Sequence, residues 1–319
     1  MRRLSIVFAL VLGLARPALA EPPPTFIANL YGPGGFDQVS QMALGPDGRV
    51  YVADAYRNRI VVLNADGTYA LQFGSPGVAL GRLGLPSGVA FDPAGNLYVA
   101  EQSNSRITKF GPGFVPLMAF GSFGSGPGQL NYPSNLAISP DGQTLYVVDL
   151  LNHRVSRFSV SGSYLGGFGS LGAGPGQFDH PFGIIVDPAG DVFVADERNN
   201  RVQHFGATGN YLGEWGGLGA GPGQFNNAVG LGLDAAGDIY VTDQLNNRVQ
   251  RFRHDGTFVT AWGSFGSGNG EFYNPWCVLP LTTTKVWVGD TYNFRIGVFE
   301  TLATPAGHDS WGSIKARYR

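Results

Sequence analysis

The stretch YVVDLLNHRVSRF (Tyr146–Phe158) returns almost unchanged as FVADERNNRVQHF (Phe193–Phe205) and YVTDQLNNRVQRF (Tyr240–Phe252). Its opening aromatic recurs at Tyr51, Tyr98, Tyr146, Phe193, Tyr240 and Trp287, at intervals of 47, 48, 47, 47 and 47 residues. A period of this length marks one supersecondary unit stacked or arranged in a ring. Each unit reads as four short strands. In the fourth copy these are GIIVD (Gly183–Asp187), VFVAD (Val192–Asp196), RVQHF (Arg201–Phe205) and YLGEWG (Tyr211–Gly216). β-Branched and aromatic residues fill the runs, and turns such as Pro188-Ala189-Gly190 separate them.

After the fourth strand comes a glycine-rich crossing, GLGAGPGQF in the fourth copy, with relatives at 74–83, 121–130, 169–178 and 263–272. Glycine suits a connection that takes positive φ and runs close to its neighbours. These crossings recur once per unit and lead into no helix, so they are not phosphate loops. Six units of four strands predict an all-β fold, a six-bladed β-propeller with antiparallel four-stranded blades. The last copy, Val286–Glu300, has no convincing fourth strand, whereas Phe26–Gly32 reads as a fourth strand ahead of the first copy. The N-terminal strand is therefore expected to complete the last blade and remove a free edge.

The expected organisation is a signal segment at 1–20, the propeller at 21–300 and a tail at 301–319. Arg2 and Arg3, the apolar run Leu4–Leu14 and Ala18-Leu19-Ala20 form the secretory pattern, and the apolar run is too short to span a bilayer. The single cysteine, Cys277, rules out a disulfide framework, and no cysteine near the cleavage site provides a lipid anchor. The reading is a secreted or periplasmic, monomeric protein with no membrane anchor after cleavage. Formal charge is -2, and removal of Arg2, Arg3 and Arg16 makes the mature chain more acidic. That balance disfavours a nucleic-acid partner. The tail contains SWGS (Ser310–Ser313) and is expected on the surface or at the last blade's edge.

The pattern YVxD…NxRVxxF…FGxxGxGxGQFxxPxGIxVD, fitted by Tyr146–Asp187 and Phe193–Asp234, resembles the NHL repeat. Asn152-His153 stands where the Asn-His-Leu signature begins, with Arg154 in place of the leucine. The resemblance covers Phe26–Glu300 and implies a six-bladed propeller. It implies no single function, because such propellers serve as binding modules, sensor ectodomains and the scaffold of amidating lyases.

Residues that recur in all six copies read as frame. An acid ends each second strand and an arginine starts each third. The pairs are Asp54 and Arg59, Glu101 and Arg106, Asp149 and Arg154, Asp196 and Arg201, Asp243 and Arg248, and Asp290 and Arg295. Six equivalent pairs point to a structural brace, since a guanidinium five residues from a carboxylate can pair with it bidentately across one turn and bond the loop backbone. The loops between them vary, and Tyr56, Arg57, Leu151, His153, Arg198, Tyr292 and Phe294 form an interface-like set on one face. This favours a binding scaffold for a protein, peptide or glycan.

The alternative is a metal-dependent propeller enzyme at the channel mouth, resembling either the calcium lactonases or the zinc amidating lyases. Zinc is disfavoured because His180 alone stands at the mouth of an inner strand. Its equivalents are Gln38, Leu85, Tyr132, Asn227 and Asn274. Asp37, Asn131, Asp179 and Asn226, one position earlier, offer the oxygen ligands that calcium requires, and are also ordinary turn residues.

Overall fold

The computed structural model describes residues 21–301. The expected signal segment and the tail beyond Thr301 lie outside the described residues. Six antiparallel four-stranded sheets form the six blades. Their inner strands, Val39–Leu44, Pro86–Phe91, Pro133–Ile138, Pro181–Val186, Ala228–Leu233 and Pro275–Pro280, each contact the inner strands of the blades on either side and so surround a central channel.

Burial follows position within the blade. The second strand of each blade is packed on both sides by neighbouring blades, so Val192–Asp196 is buried at every residue. A strand covered on both faces reads as a continuous apolar run rather than an alternation. The outer strand Tyr211–Gly216 alternates between exposed and half-buried residues. The core is a set of seams: Tyr146, Val148 and Val155 of blade 3 pack against Ile184, Val192, Val194 and Phe205 of blade 4. Each fully buried side chain of this size contributes roughly 1.5–3 kcal/mol.

The crossings hold the seams at the upper face. Leu171 bridges Phe178, and Phe178 is fully buried. Gly169 has φ +103, and a Cβ there would lie 2.5 Å from the Phe178 ring and 3.1 Å from the His153 carbonyl oxygen. Only glycine fits so close to both.

The ring closes as expected. Thr25–Leu30 pairs with Arg295–Glu300, from Thr25↔Glu300 to Leu30↔Ile296. The Phe26 ring meets Phe299 edge-on at 5.8 Å. The strand ends at Leu30 rather than Gly32, because the chain turns at Pro33-Gly34, with Gly35 N–H bonded to Gly32 O at 2.7 Å.

The channel has two unlike ends. Near the upper face Leu150, Phe182, Val229 and Trp276 form an apolar plug, with the Phe182 and Trp276 rings 5.5 Å apart. Above the plug is a polar mouth. Below it, the lower halves of all six inner strands line a bowl of about 330 Å³.

Candidate functional site

The mouth is built on the repeated pairs. Arg59 Nε lies 2.7 Å from Asp54 Oδ2, and Arg106 Nε lies 2.9 Å from Glu101 Oε1. Arg154 and Asp149 meet at 2.8 Å, Arg201 and Asp196 at 2.8 Å. Arg248 and Asp243 meet at 2.6 Å, Arg295 and Asp290 at 2.7 Å. The expected bidentate pairing holds only for Arg106, whose Nη2 also reaches Glu101 Oε2 at 3.4 Å; in the other five pairs Nε alone holds the acid, and the terminal nitrogens turn mainly to backbone carbonyls. Arg59 Nη2 donates to Gly35 O, Arg106 Nη1 to Val78 O and Arg248 Nη1 to Ala220 O. Arg201 Nη2 reaches Gly174 O and Gln177 O. The reason is that one carboxylate oxygen is already committed to the backbone. Each acid accepts an N–H from just ahead of its inner strand: Asp37, Gly84, Asn131, Asp179, Asn226 or Tyr273. Burial pushes the carboxyls of Asp149, Asp196, Asp243 and Asp290 up from their usual range, against the pull of these hydrogen bonds.

A second repeated contact links one blade to the next. The residue before each arginine takes the left-handed conformation, at φ +49 to +56 in all six copies. Where it is asparagine, its Oδ1 accepts a backbone N–H from the residue that heads the next inner strand. Asn58 takes Leu85, Asn200 takes Asn227 and Asn247 takes Asn274. In blade 3 the residue is His153, and its Nδ1 accepts the N–H of His180 at 3.2 Å. His153 thus replaces asparagine as an acceptor. That bond assigns its neutral form, with the proton on Nε2.

His180 itself carries the opposite tautomer. Its Nδ1 lies 2.7 Å from Asp179 Oδ1, so Nδ1 donates to the carboxylate and Nε2 keeps its lone pair. The two imidazoles sit edge to face at 5.0 Å. Arg198 Nη1 is 3.9 Å from Asp179 Oδ1. Burial and the neighbouring His180 hold the His153 pKa below its usual value, and Arg198 adds to that. Glu197, half-buried beside them, has its carboxyl pushed up by burial, and Asn227 Nδ2 donates to its Oε1 at 3.1 Å. The equivalents of Glu197 are Ala55, Gln102, Leu150, Gln244 and Thr291, all uncharged.

The structure therefore joins three residues that the sequence kept apart. His153 belongs to the loop-face set, Asp179 to the oxygen-ligand ring, and His180 stood alone. The signal was present as a spacing: 27 residues separate His153 from His180, as they do Asn200 from Asn227 and Asn247 from Asn274. Glu197 was not singled out, because the varied loop was read for interface residues. Of the other loop-face residues, Tyr56, Arg57, Leu151, Arg198, Tyr292 and Phe294 are exposed. Tyr292 meets Tyr273 edge-on at 5.1 Å, and Tyr273 meets Phe265 at 5.2 Å.

His153, Asp179 and His180 bring ligand atoms within 4.8 Å of one another, the one such group among the described residues. As arranged, they do not fit a metal ion. Ligands about 2.1 Å from zinc at tetrahedral angles stand about 3.4 Å apart, and the Asp179–His180 contact is 2.7 Å. His153 Nδ1 is already engaged by a backbone N–H. Of the oxygen-ligand ring Asp37, Asn131, Asp179 and Asn226, Asp37 and Asp179 head blades 1 and 4, and Asp179 bonds His180.

A family model of the NHL repeat matches residues 83–110, and one for an SMP-30/gluconolactonase/LRE-like region matches residues 126–216. The chain is an NHL-type six-bladed propeller. The second match contains His153, Asp179, His180 and Glu197. No curated protein matches the propeller.

Among solved structures it is similar to a gluconolactonase from Xanthomonas campestris, at 15% identity and TM-score 0.63, over 90% of this chain and 99% of that one. A streptogramin B lyase has 16% identity and TM-score 0.60, over 82% of this chain and 78% of that one. An auxiliary nutrient binding protein from Bacteroides ovatus has 15% identity and TM-score 0.62, over 86% and 75%. Likeness at these identities shows the propeller fold alone.

Proposed function

We propose that the propeller is a hydrolase that opens an ester or lactone at its upper channel mouth. One observation carries this: the Asp179–His180 pair, at 2.7 Å, stands beside a neutral His153 in one blade junction of six. The equivalent positions elsewhere read Asp37-Gln38, Gly84-Leu85, Asn131-Tyr132, Asn226-Asn227 and Tyr273-Asn274. Frame residues repeat six times; this group does not. Clustered titratable groups with shifted pKa values in a cleft mark functional sites.

The chemistry follows from the tautomers. Asp179 orients His180 and favours the imidazolium that forms when Nε2 takes a proton from water. The resulting hydroxide adds to the substrate carbonyl. His153 donates its Nε2–H to the developing oxyanion and, because its pKa is held down, stays a neutral donor. The intermediate collapses as the carbon–oxygen bond to the alcohol breaks, and His180 returns its proton to the leaving oxygen. The match of the lactonase-type family model to 126–216 and the fold of the gluconolactonase support this reading. Export through residues 1–20 belongs to the same proposal and places the substrate outside the cytoplasm.

The test is a pH-stat assay of aliphatic lactones and aryl esters with the wild type and His180→Asn. Asparagine occupies the same position at Asn227 and Asn274, so the variant keeps its fold. Turnover by the wild type and a loss on the order of 10²–10⁴-fold in the variant are expected. Equal rates in the two proteins overturn the proposal.

A second reading is recognition of a protein, peptide or glycan by the loop face, favoured by the exposed run Phe265, Tyr273 and Tyr292. Tyr292→Ser with Phe294→Ser abolishes capture of such a partner on that reading and leaves hydrolysis unchanged.

A further inference from the structure

The upper face is ringed by apolar side chains that the polar mouth does not use. Phe123, Leu171, Leu218 and Phe265 stand at one position of four successive crossings. Each bridges a buried residue further along its own crossing: Leu130, Phe178, Phe225 or Phe272. The buried partner fixes the crossing on its blade, and the bridging side chain is left outside, between 61% and 72% exposed. The blades are near-equivalent, so the four tips lie on one circle about the channel axis. In the first crossing Val78 and Leu80 are exposed instead. Nearer the mouth, Tyr56, Leu151, Leu245 and Tyr292 share one position of the short loops and make an inner ring.

Exposed charges divide by face. Among the described residues the exposed basic side chains are Arg57, Arg82 and Arg198, all on the upper face. Exposed carboxylates lie elsewhere. Asp47, Asp66, Asp141 and Asp255 occupy lower turns, and Glu300 ends its strand at the lower face. Glu214 lies on an outer strand and pairs with Arg201. Beyond the repeated pairs, the upper-face carboxylates Asp37, Asp179, Glu197 and Glu271 are all half-buried.

Large exposed apolar surface marks a contact with protein or membrane. The layout selects between them. A peptide or glycan covers one sector, whereas these tips are spread round the rim, one to a crossing. Only a wide, flat surface meets them together. A second copy stacked face to face would set arginine against arginine, with no exposed carboxylate to meet either. Stacked head to tail, it would set the ring on the polar lower turns Asp47-Gly48, Asp66-Gly67, Asp141-Gly142 and Asp255-Gly256. A bilayer with anionic headgroups suits both features: phosphates take the arginines and the acyl boundary takes the apolar tips.

We propose that the upper face docks on an anionic lipid bilayer, with Phe123, Leu171, Leu218 and Phe265 entering the headgroup boundary and Arg57, Arg82 and Arg198 against phosphates. The contact is peripheral: single side chains enter, and no described helix is long and apolar enough to cross a membrane. It turns the polar mouth toward the lipid.

Co-sedimentation with vesicles tests it, using the chain from residue 21 onward, which carries all six blades. The vesicles are phosphatidylcholine alone, or phosphatidylcholine and phosphatidylglycerol in equal parts. The wild type is expected to bind the mixed vesicles well and the neutral ones weakly. Phe123→Ser with Leu218→Ser lowers binding to mixed vesicles on the order of 10-fold or more, through the apolar area lost. Arg57→Ala lowers it roughly fivefold, the worth of one basic side chain at an anionic surface. Leu117→Ser with Leu165→Ser removes comparably exposed side chains from two outer strands and leaves binding unchanged. Each variant is checked for an unchanged melting temperature.

No binding by the wild type overturns the proposal. Binding that the upper-face variants leave unchanged also overturns it, by placing the contact elsewhere on the chain. Equal binding to both kinds of vesicle removes the arginines from the contact and contradicts it. Self-association of the wild type without vesicle binding, abolished by Phe123→Ser with Leu218→Ser, makes the face an interface between copies and likewise contradicts it. The readout is binding, so its outcome is independent of hydrolysis at the mouth.

Discussion

His153 shows how one residue can serve frame and chemistry together. Its Nδ1 does what asparagine does in three other blades, and its remaining nitrogen is free for work that asparagine cannot do. His153→Asn therefore separates the two roles. It keeps the contact to His180 and the melting temperature, and removes the donor. Because the folded pKa is lowered from about 6.5, protonation favours the unfolded chain. Stability from this group is present above that value and lost as pH falls below it. NMR titration of the wild type is expected to put the His153 midpoint below 6.5, and a midpoint at or above 6.5 contradicts the geometry.

The repeated pairs behave differently. Arg295 is 5% exposed and Asp290 is fully buried. Arg295→Ala strands that carboxylate and is expected to cost about 3–5 kcal/mol in urea denaturation. A cost below 1 kcal/mol would mean that the pair contributes little to the frame.

At the scale of strands and blades, the sequence was most legible. The fourth copy's second, third and fourth strands fall where the apolar runs put them, at Val192–Asp196, Arg201–Phe205 and Tyr211–Gly216. Side-chain pattern and turn chemistry agree there, so local preference and global fold coincide. The brace partners of Arg59, Arg106 and Arg248 were legible from spacing alone, but not the carbonyls that take the rest of each guanidinium, because those come from distant loops. The candidate site was less legible, because it lies between blades. Asp179 and His180 come from a fourth-blade loop and His153 from a third-blade loop. Only the tertiary packing sets their tautomers. Glu197 escaped notice because its meaning comes from burial, not from any motif.

Two predictions belong to this scale. Phe26→Ala removes the edge-on contact with Phe299 at the ring closure, and is expected to cost about 1–3 kcal/mol by urea denaturation; an unchanged midpoint would show that closure does not depend on this pair. At the seam of blades 4 and 5, His254 Nε2 meets Asp187 Oδ2 at 2.8 Å. Burial raises that carboxyl, but the His254 bond and backbone N–H groups outweigh it and hold it below its usual range. Its stabilisation is present above the unfolded value near 3.9 and is lost as pH falls through the lower folded value. Asp187→Asn is expected to reduce stability at pH 6 and leave less difference from the wild type in acid; the same deficit at both pH values contradicts the assignment.

For the whole molecule, six near-equivalent blades make a symmetric frame, and function is read from departures from that symmetry. The clearest departure is the group at the upper mouth, where His153, Asp179 and His180 meet at one blade junction. The Asp179–His180 spacing leads us to expect that EDTA changes neither the melting temperature nor hydrolysis. A fall in either on chelation, restored by calcium or zinc, would show that the mouth rearranges around a cation.

The most direct test compares initial rates on one lactone for the wild type, His180→Asn, His153→Asn and Tyr292→Ser, each checked for an unchanged melting temperature. The account predicts losses of at least 100-fold in both histidine variants and none in Tyr292→Ser. Wild-type rates in the histidine variants, with loss confined to Tyr292→Ser, would contradict it and move the function to the aromatic rim.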